Sequence, residues 1–100
     1  MIKHIILLRL KDQVDGMSKT ENIVKAKALI EGMNGKIPGL IMVELGTDFS
    51  ATDASADIAL YAELESREAL EVYAQHPVHT AILPFVRSIF EQRHLIDYEV

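Results

Sequence analysis

An α+β fold, with helices covering one face of a four-stranded antiparallel sheet, is predicted by three features of the sequence. Four segments carry β-branched and alternating apolar residues, and two stretches with helical spacing separate the first from the second and the third from the fourth. The joints are marked by turn-forming clusters: DQVDGMS, a Pro-Gly pair, and SATDASAD.

The first strand covers residues 2–11. Its odd positions give Lys3, Ile5, Leu7 and Arg9, and its even positions give Ile2, His4, Ile6, Leu8 and Leu10. Both faces are apolar in the middle, so each needs a cover. Ser18 to Glu21, read as S-K-T-E, forms a capping box that opens a helix. Ile23, Ala26, Ile30 and Met33 recur at helical spacing, with Leu29 widening the stripe and Asn22, Lys25, Lys27 and Glu31 on the solvent side. Gly35 serves as the stop of a helix of about 17 residues.

The second strand follows the Pro38-Gly39 turn, with Ile41, Val43 and Leu45 on one side and Met42, Glu44 and Gly46 on the other. A small, polar loop leads into DIALYAELE, where Ile58, Leu60, Ala62 and Leu64 alternate with Asp57, Ala59, Tyr61 and Glu63. Ser66 caps the next helix, and Glu68 sits in its first turn, where negative charge is favoured. Pro77 reads as a hinge between two short helices: it pushes His76 towards an extended backbone and starts a new turn. Val78, Ile82 and Val86 carry the apolar stripe of the later helix, which Pro84 kinks or ends. The last strand, FEQRHLIDYEV, puts His94, Ile96 and Tyr98 on one side. The resulting order, strand, helix, strand, strand, helix, strand, is the ferredoxin-like arrangement. One sheet face, with Ile5, Leu7, Met42, Ala59 and Tyr61, stays open and too apolar for water, which predicts sheet-against-sheet homodimerisation.

At 100 residues the chain is predicted to form one domain, 1–100, which buries only part of its surface in a single core. With 49% hydrophobic and 25% charged residues it falls among globular domains rather than disordered chains. A net charge of −5, with Lys and Arg scattered singly, argues against nucleic acid as a partner. Arg9 interrupts the apolar start and no small-residue cleavage site follows it, so neither a leader nor a membrane segment is expected. The absence of cysteine suits a reducing compartment, and a cytoplasmic location is the expectation.

Chemistry concentrates in YAQHPVH, residues 73–79, which holds two of the four histidines. His79 as a base and Tyr73 as an oxyanion donor make a coherent pair, since imidazole accepts a proton near neutral pH and a phenol donates a hydrogen bond to a developing enolate. His4 shares its strand face with Ile6 and Leu8, so it approaches this cluster from the sheet. Each residue also has a structural reading. His4 is then a satisfied polar residue, Tyr73 a helix–sheet filler, and His76 a cap on the end of the preceding helix. A zinc site on His76 and His79, with His4 near, has no carboxylate evidently placed to complete it, so no metal is expected. No Gly-rich phosphate loop is present, and no cofactor is expected.

His4 within KHIILLRLK, the IPG turn at 37–39, DIALYAELES, YAQHPVH and the closing IDYE occur in an order that resembles the stress-responsive A/B barrel (Dabb) family. The resemblance implies a homodimeric α+β barrel with a cleft in each subunit between its sheet and its helices. In plant polyketide cyclases of that family the matching tyrosine and last histidine form the acid/base pair, which corresponds to Tyr73 and His79. A second pocket histidine of those cyclases matches Ile58 here, which implies a more apolar pocket. His4, Ile6, His76 and Ile58 are thus the candidate ligand contacts. Two functions follow. One is a homodimeric small-ligand-binding or stress-associated module. The other is a cofactor-free cyclase that closes a β-keto or polyketide-like chain by an intramolecular aldol step. A deep apolar cleft reached by Tyr73 and His79 favours the cyclase, and a filled core favours the module.

Overall fold

The computed structural model describes residues 1–100 and contains strands β1 (Ile2–Leu10), β2 (Gln13–Val14), β3 (Met17–Ser18), β4 (Leu40–Thr47), β5 (Ile58–Leu64) and β6 (Phe90–Glu99). Its helices are α1 (Lys19–Glu31), α2 (Arg67–Gln75), α3 (Pro77–Thr80) and α4 (Leu83–Ile89). The four long strands pair antiparallel in the order β4-β5-β1-β6, as the ferredoxin-like reading predicts. On β1 the even residues Ile2, His4, Leu8 and Leu10 are buried, and they pack with Ile30, Met33 and Leu64 in the core.

The DQVDGMS turn carries a short hairpin, β2–β3, which alternation alone does not reveal because each arm has only two residues. Asp15 and Gly16 both have positive φ, 52° and 79°, as the favoured two-residue hairpin turns demand. At the start of α1 the Ser18 hydroxyl accepts from the Glu21 amide at 3.2 Å, and the Glu21 carboxylate accepts from the Ser18 amide at 3.1 Å. The capping box therefore sits where the sequence puts it.

Four expectations are corrected. Helix α1 spans 13 residues and ends with Gly32 at its C-cap, short of Gly35. Asn34 accounts for the early stop: it accepts from the Val43 amide and donates to the Val43 carbonyl, at 2.9 and 2.8 Å, drawing the chain away to β4. Asn22 lies on the buried face of α1, its amide donating to the Met17 carbonyl at 3.4 Å. Ile41 is exposed rather than aligned with Val43 and Leu45, because a bulge between Leu40 and Met42 breaks the two-residue alternation. Pro84 opens α4 in its first turn instead of ending a helix, since the missing amide does no harm there.

The other face of the sheet is bare. Register places Ile5 beside Ile96 and Tyr61, and Leu7 beside His94 and Ala59. Leu7, Ile96 and Tyr98 are 43, 56 and 41% exposed, an apolar surface unlike the solvated face of an ordinary antiparallel sheet.

A candidate binding cavity at the His4–Tyr73–His79 row

Between the helix-covered face of the sheet and α2, α3 and α4 lies a cavity of about 690 Å³. Twelve of its eighteen lining residues are hydrophobic, which fits it to an apolar guest. Ile6 shares a strand face with fully buried Leu8 yet remains half-exposed, because it borders this space.

The polar groups of the cavity come from three elements. His4, on β1, is 7% exposed and is held by Asp97, its direct cross-strand partner on β6. The His4 ring meets the Asp97 carboxylate through Nδ1 in a close hydrogen bond. With an ionised carboxylate as acceptor, Nδ1 carries the proton. Tyr73, in the last turn of α2, is 2% exposed, and its ring stands edge-on to His4 with centroids 5.7 Å apart. On its other side the His79 ring of α3 lies 4.3 Å away, tilted by 31°. Three rings therefore form one row along the wall.

Nδ1 of His79 donates to the Ala74 carbonyl at 3.1 Å, which leaves Nε2 as a free acceptor. Burial is the main cause holding the His79 pKa below its ordinary 6.5, with smaller contributions from the nearby His4 and Arg87. The ring is therefore neutral and able to accept a proton at pH 7. Burial also pushes the Tyr73 phenol up to about 12, so it stays protonated as a donor. Its hydroxyl is buried without any hydrogen-bond partner, an arrangement that buried polar groups rarely adopt.

A pH dependence follows from His79. Below pH 6.5 the unfolded chain binds this proton more readily than the folded one, so stability rises with pH there. The contribution of His79 is complete above its unfolded pKa and is lost as pH falls towards the depressed folded value. Urea midpoints measured from pH 8 to 5 are expected to decline at the acid end, and more shallowly in His79→Phe. Equal slopes in the two proteins would contradict the depressed pKa.

Of the candidate residues read from sequence, His4, Ile6, Tyr73 and His79 converge on the cavity, and two do not. Ile58, 2% exposed, pairs with Leu8 and Thr47 at the far end of β5 and fills core beyond the cavity. His76 is committed to the backbone: it lies at the C-cap of α2, and its Nδ1 accepts from the Val78 amide at 3.1 Å, capping α3. Four charged lining residues escape the sequence reading, Glu71, Arg87, Arg93 and Asp97. Alternation on the last strand holds the signal for two of them, since Arg93, Leu95 and Asp97 share the side opposite His94, Ile96 and Tyr98. No three or more His, Cys, Asp or Glu side chains come together in a group able to hold a metal ion. No helix is long and apolar enough to cross a membrane.

Known proteins place this architecture. A dimeric protein of unknown function with a ferredoxin-like fold from Bacteroides fragilis is 31% identical, with a TM-score of 0.86 over 99% of this chain and 95% of that one. An uncharacterized protein of Streptomyces coelicolor is 27% identical over 100 residues, 99% of each chain. Hydroxynitrile lyase from Passiflora edulis shares the fold, with a TM-score of 0.83 and 16% identity over 99% of this chain and 92% of that one. Residues 2–100 match the sequence pattern described as Stress responsive A/B Barrel Domain. The chain with its row of three rings thus belongs to the stress responsive A/B barrel domain family.

Proposed function

We propose that the chain, as one domain over residues 1–100, is a homodimeric small-ligand-binding module of the reducing cytoplasm. Its open sheet face meets a second copy, and its cavity holds a small, largely apolar molecule. One observation carries the binding role: the Tyr73 hydroxyl is buried beside an apolar cavity with no partner of its own. Leaving such a group unsatisfied costs about 1–3 kcal/mol, which a ligand accepting its hydrogen bond recovers once the closed-off Tyr73 hydroxyl turns towards it. The volume of about 690 Å³ falls in the range of pockets for small molecules. The free Nε2 of His79 supplies an acceptor on the same wall. The exposed apolar sheet face and the dimeric Bacteroides fragilis relative support the homodimer.

A second reading has its own support, because the space beneath α2 and α3 is a cleft rather than filled core and both Tyr73 and His79 line it. In that reading His79 takes a proton from a carbon next to a carbonyl, Tyr73 donates to the enolate oxygen, and the folded substrate closes by an aldol step.

Titration of His79 separates these outcomes. Its ring signals would be followed through pH with and without Tyr73→Phe, and again with decanol as a neutral apolar probe. The binding role predicts that decanol shifts the His79 and Ile6 signals. A His79 pKa that also moves with Tyr73→Phe favours proton-transfer chemistry. A ring that never titrates between pH 5 and 8 and ignores decanol overturns both readings.

A further inference from the structure

The chain has four arginines, and two are already engaged: Arg9 donates to the Asp53 and Ser55 carbonyls, and Arg67 pairs with Glu99. Arg87 and Arg93 form no ion pair and no side-chain hydrogen bond, and both border the cavity. They come from different elements, the last turn of α4 and the middle of β6, so both reach the cavity as a product of the fold rather than of a charged run. On β6, Arg93 pairs with Leu8 and Asp97 pairs with His4. Those positions share a face and lie four residues apart, about 13 Å at 3.3 Å per residue. Arg93 thus marks one end of the cavity, Arg87 lies on the same lining within electrostatic reach of His79, and across an apolar wall that includes Ile6 and Leu95 lie His4 and Tyr73.

From this geometry we infer that the ligand is a medium-chain or aromatic monocarboxylate. Its carboxylate is held by Arg87 and Arg93, and its apolar body runs towards the His4–Tyr73–His79 row. The inference rests on the cavity being a ligand site, and it names the class of ligand. Guanidinium groups present planar forks that match a carboxylate, and an unpaired pair at the rim of an apolar space is the usual recognition chemistry for such an anion. The acids argue for a single charge. With Asp97 and Glu71 also lining the cavity, the four ionised side chains balance two positive against two negative charges, so a monoanion upsets that balance less than a dianion. A ligand with a carbonyl or hydroxyl remote from its carboxylate would place that group beside the Tyr73 hydroxyl, which supplies the missing partner.

The test compares decanoate with decanol and decyl phosphate on the intact protein at low salt, by calorimetry and by the methyl signals of Ile6 and Val86. An uncommitted apolar cavity takes the neutral alcohol in preference to the anion, because ionised groups resist leaving water. The inference predicts the reverse, with decanoate bound about tenfold or more tightly than decanol. Added salt and the Arg87→Gln/Arg93→Gln double variant should each erase that preference. Decanol should still bind the double variant, which shows that the cavity survives. Equal affinities, or tighter binding of decyl phosphate, would overturn the carboxylate assignment while leaving the cavity as a ligand site. Failure of all three probes to move Ile6 and Val86 would overturn the cavity reading itself and the carboxylate inference with it.

Discussion

Ile96→Glu is expected to leave the chain folded and to convert its dimer to a monomer. Ile96 lies opposite Ile5, midway along the edge strand β6 on the bare sheet face, and is 56% exposed within one subunit, so a glutamate there meets water in the monomer. Sheet-against-sheet association removes that water. Ile5, Leu7 and Tyr98 would surround the carboxylate, with Lys3, one register pair away beside Tyr98, as its nearest cation, and the two-fold axis of a homodimer would bury it twice. Burying a charge that Lys3 only partly offsets costs up to about 3–5 kcal/mol, which weakens dimerisation by up to about two to four orders of magnitude for each site. Light scattering at micromolar concentration should report a dimer for the wild type and a monomer for the variant, with the circular dichroism of the two unchanged. A variant that remains dimeric would place the interface on another surface. A monomeric wild type would remove the reason for the apolar face.

How far the sequence reveals this molecule depends on the range of the interaction that decides each feature. The four long strands, the Ser18 capping box and the Pro77 break are local, written in alternation, in a four-residue motif and in the rigidity of one ring. The end of α1 is decided by Asn34 reaching Val43 on the next strand, so periodicity carries the helix past its true stop. The Ile41 bulge inserts one residue into a two-residue repeat, and alternation has no means of announcing an insertion. The same division runs through the candidate site. Tyr73 and His79 stand in one short motif, and His4 faces them because of its strand parity. Asp97 belongs with His4 only through the β1–β6 register, and Arg87 and Arg93 border one cavity only once α4 and β6 are in place. His76 looks like a member of the histidine cluster, but the turn at Pro77 claims its ring. Ile58 drops out because matching a position on a strand does not fix how far the cavity extends along it.

Gly39→Ala should be among the most damaging single-methyl changes available to the fold. Ile37, Pro38, Gly39 and Leu40 form a tight turn closed by the Leu40 amide donating to the Ile37 carbonyl at 3.2 Å. Pro38 stands at the second position and Gly39 at the third, where φ is +82° and type II geometry requires a positive angle. The turn also touches the second helical layer. A Cβ on residue 39 would lie 2.6 Å from the Cβ of Ala69 in the first turn of α2, and 3.5 Å from its Cα. Neither atom is the far end of a flexible side chain, so the helix or the turn has to move. The same turn supplies the Gly39 carbonyl that accepts from the Glu65 amide at 2.9 Å, just ahead of the Ser66 cap of α2. Moving it disturbs the helix that carries Tyr73. Left-handed strain and overpacking together should cost roughly 2–4 kcal/mol. At about 4–8 °C per kcal/mol for a domain of this size, the midpoint of thermal unfolding should fall by about 10 °C or more. Ala69→Gly in the same chain removes the clash but not the positive φ, so the double variant should recover only part of the loss. A Gly39→Ala protein as stable as wild type would mean that turn and helix are not locked together, and that Tyr73 is positioned by the His4 and His79 rings alone.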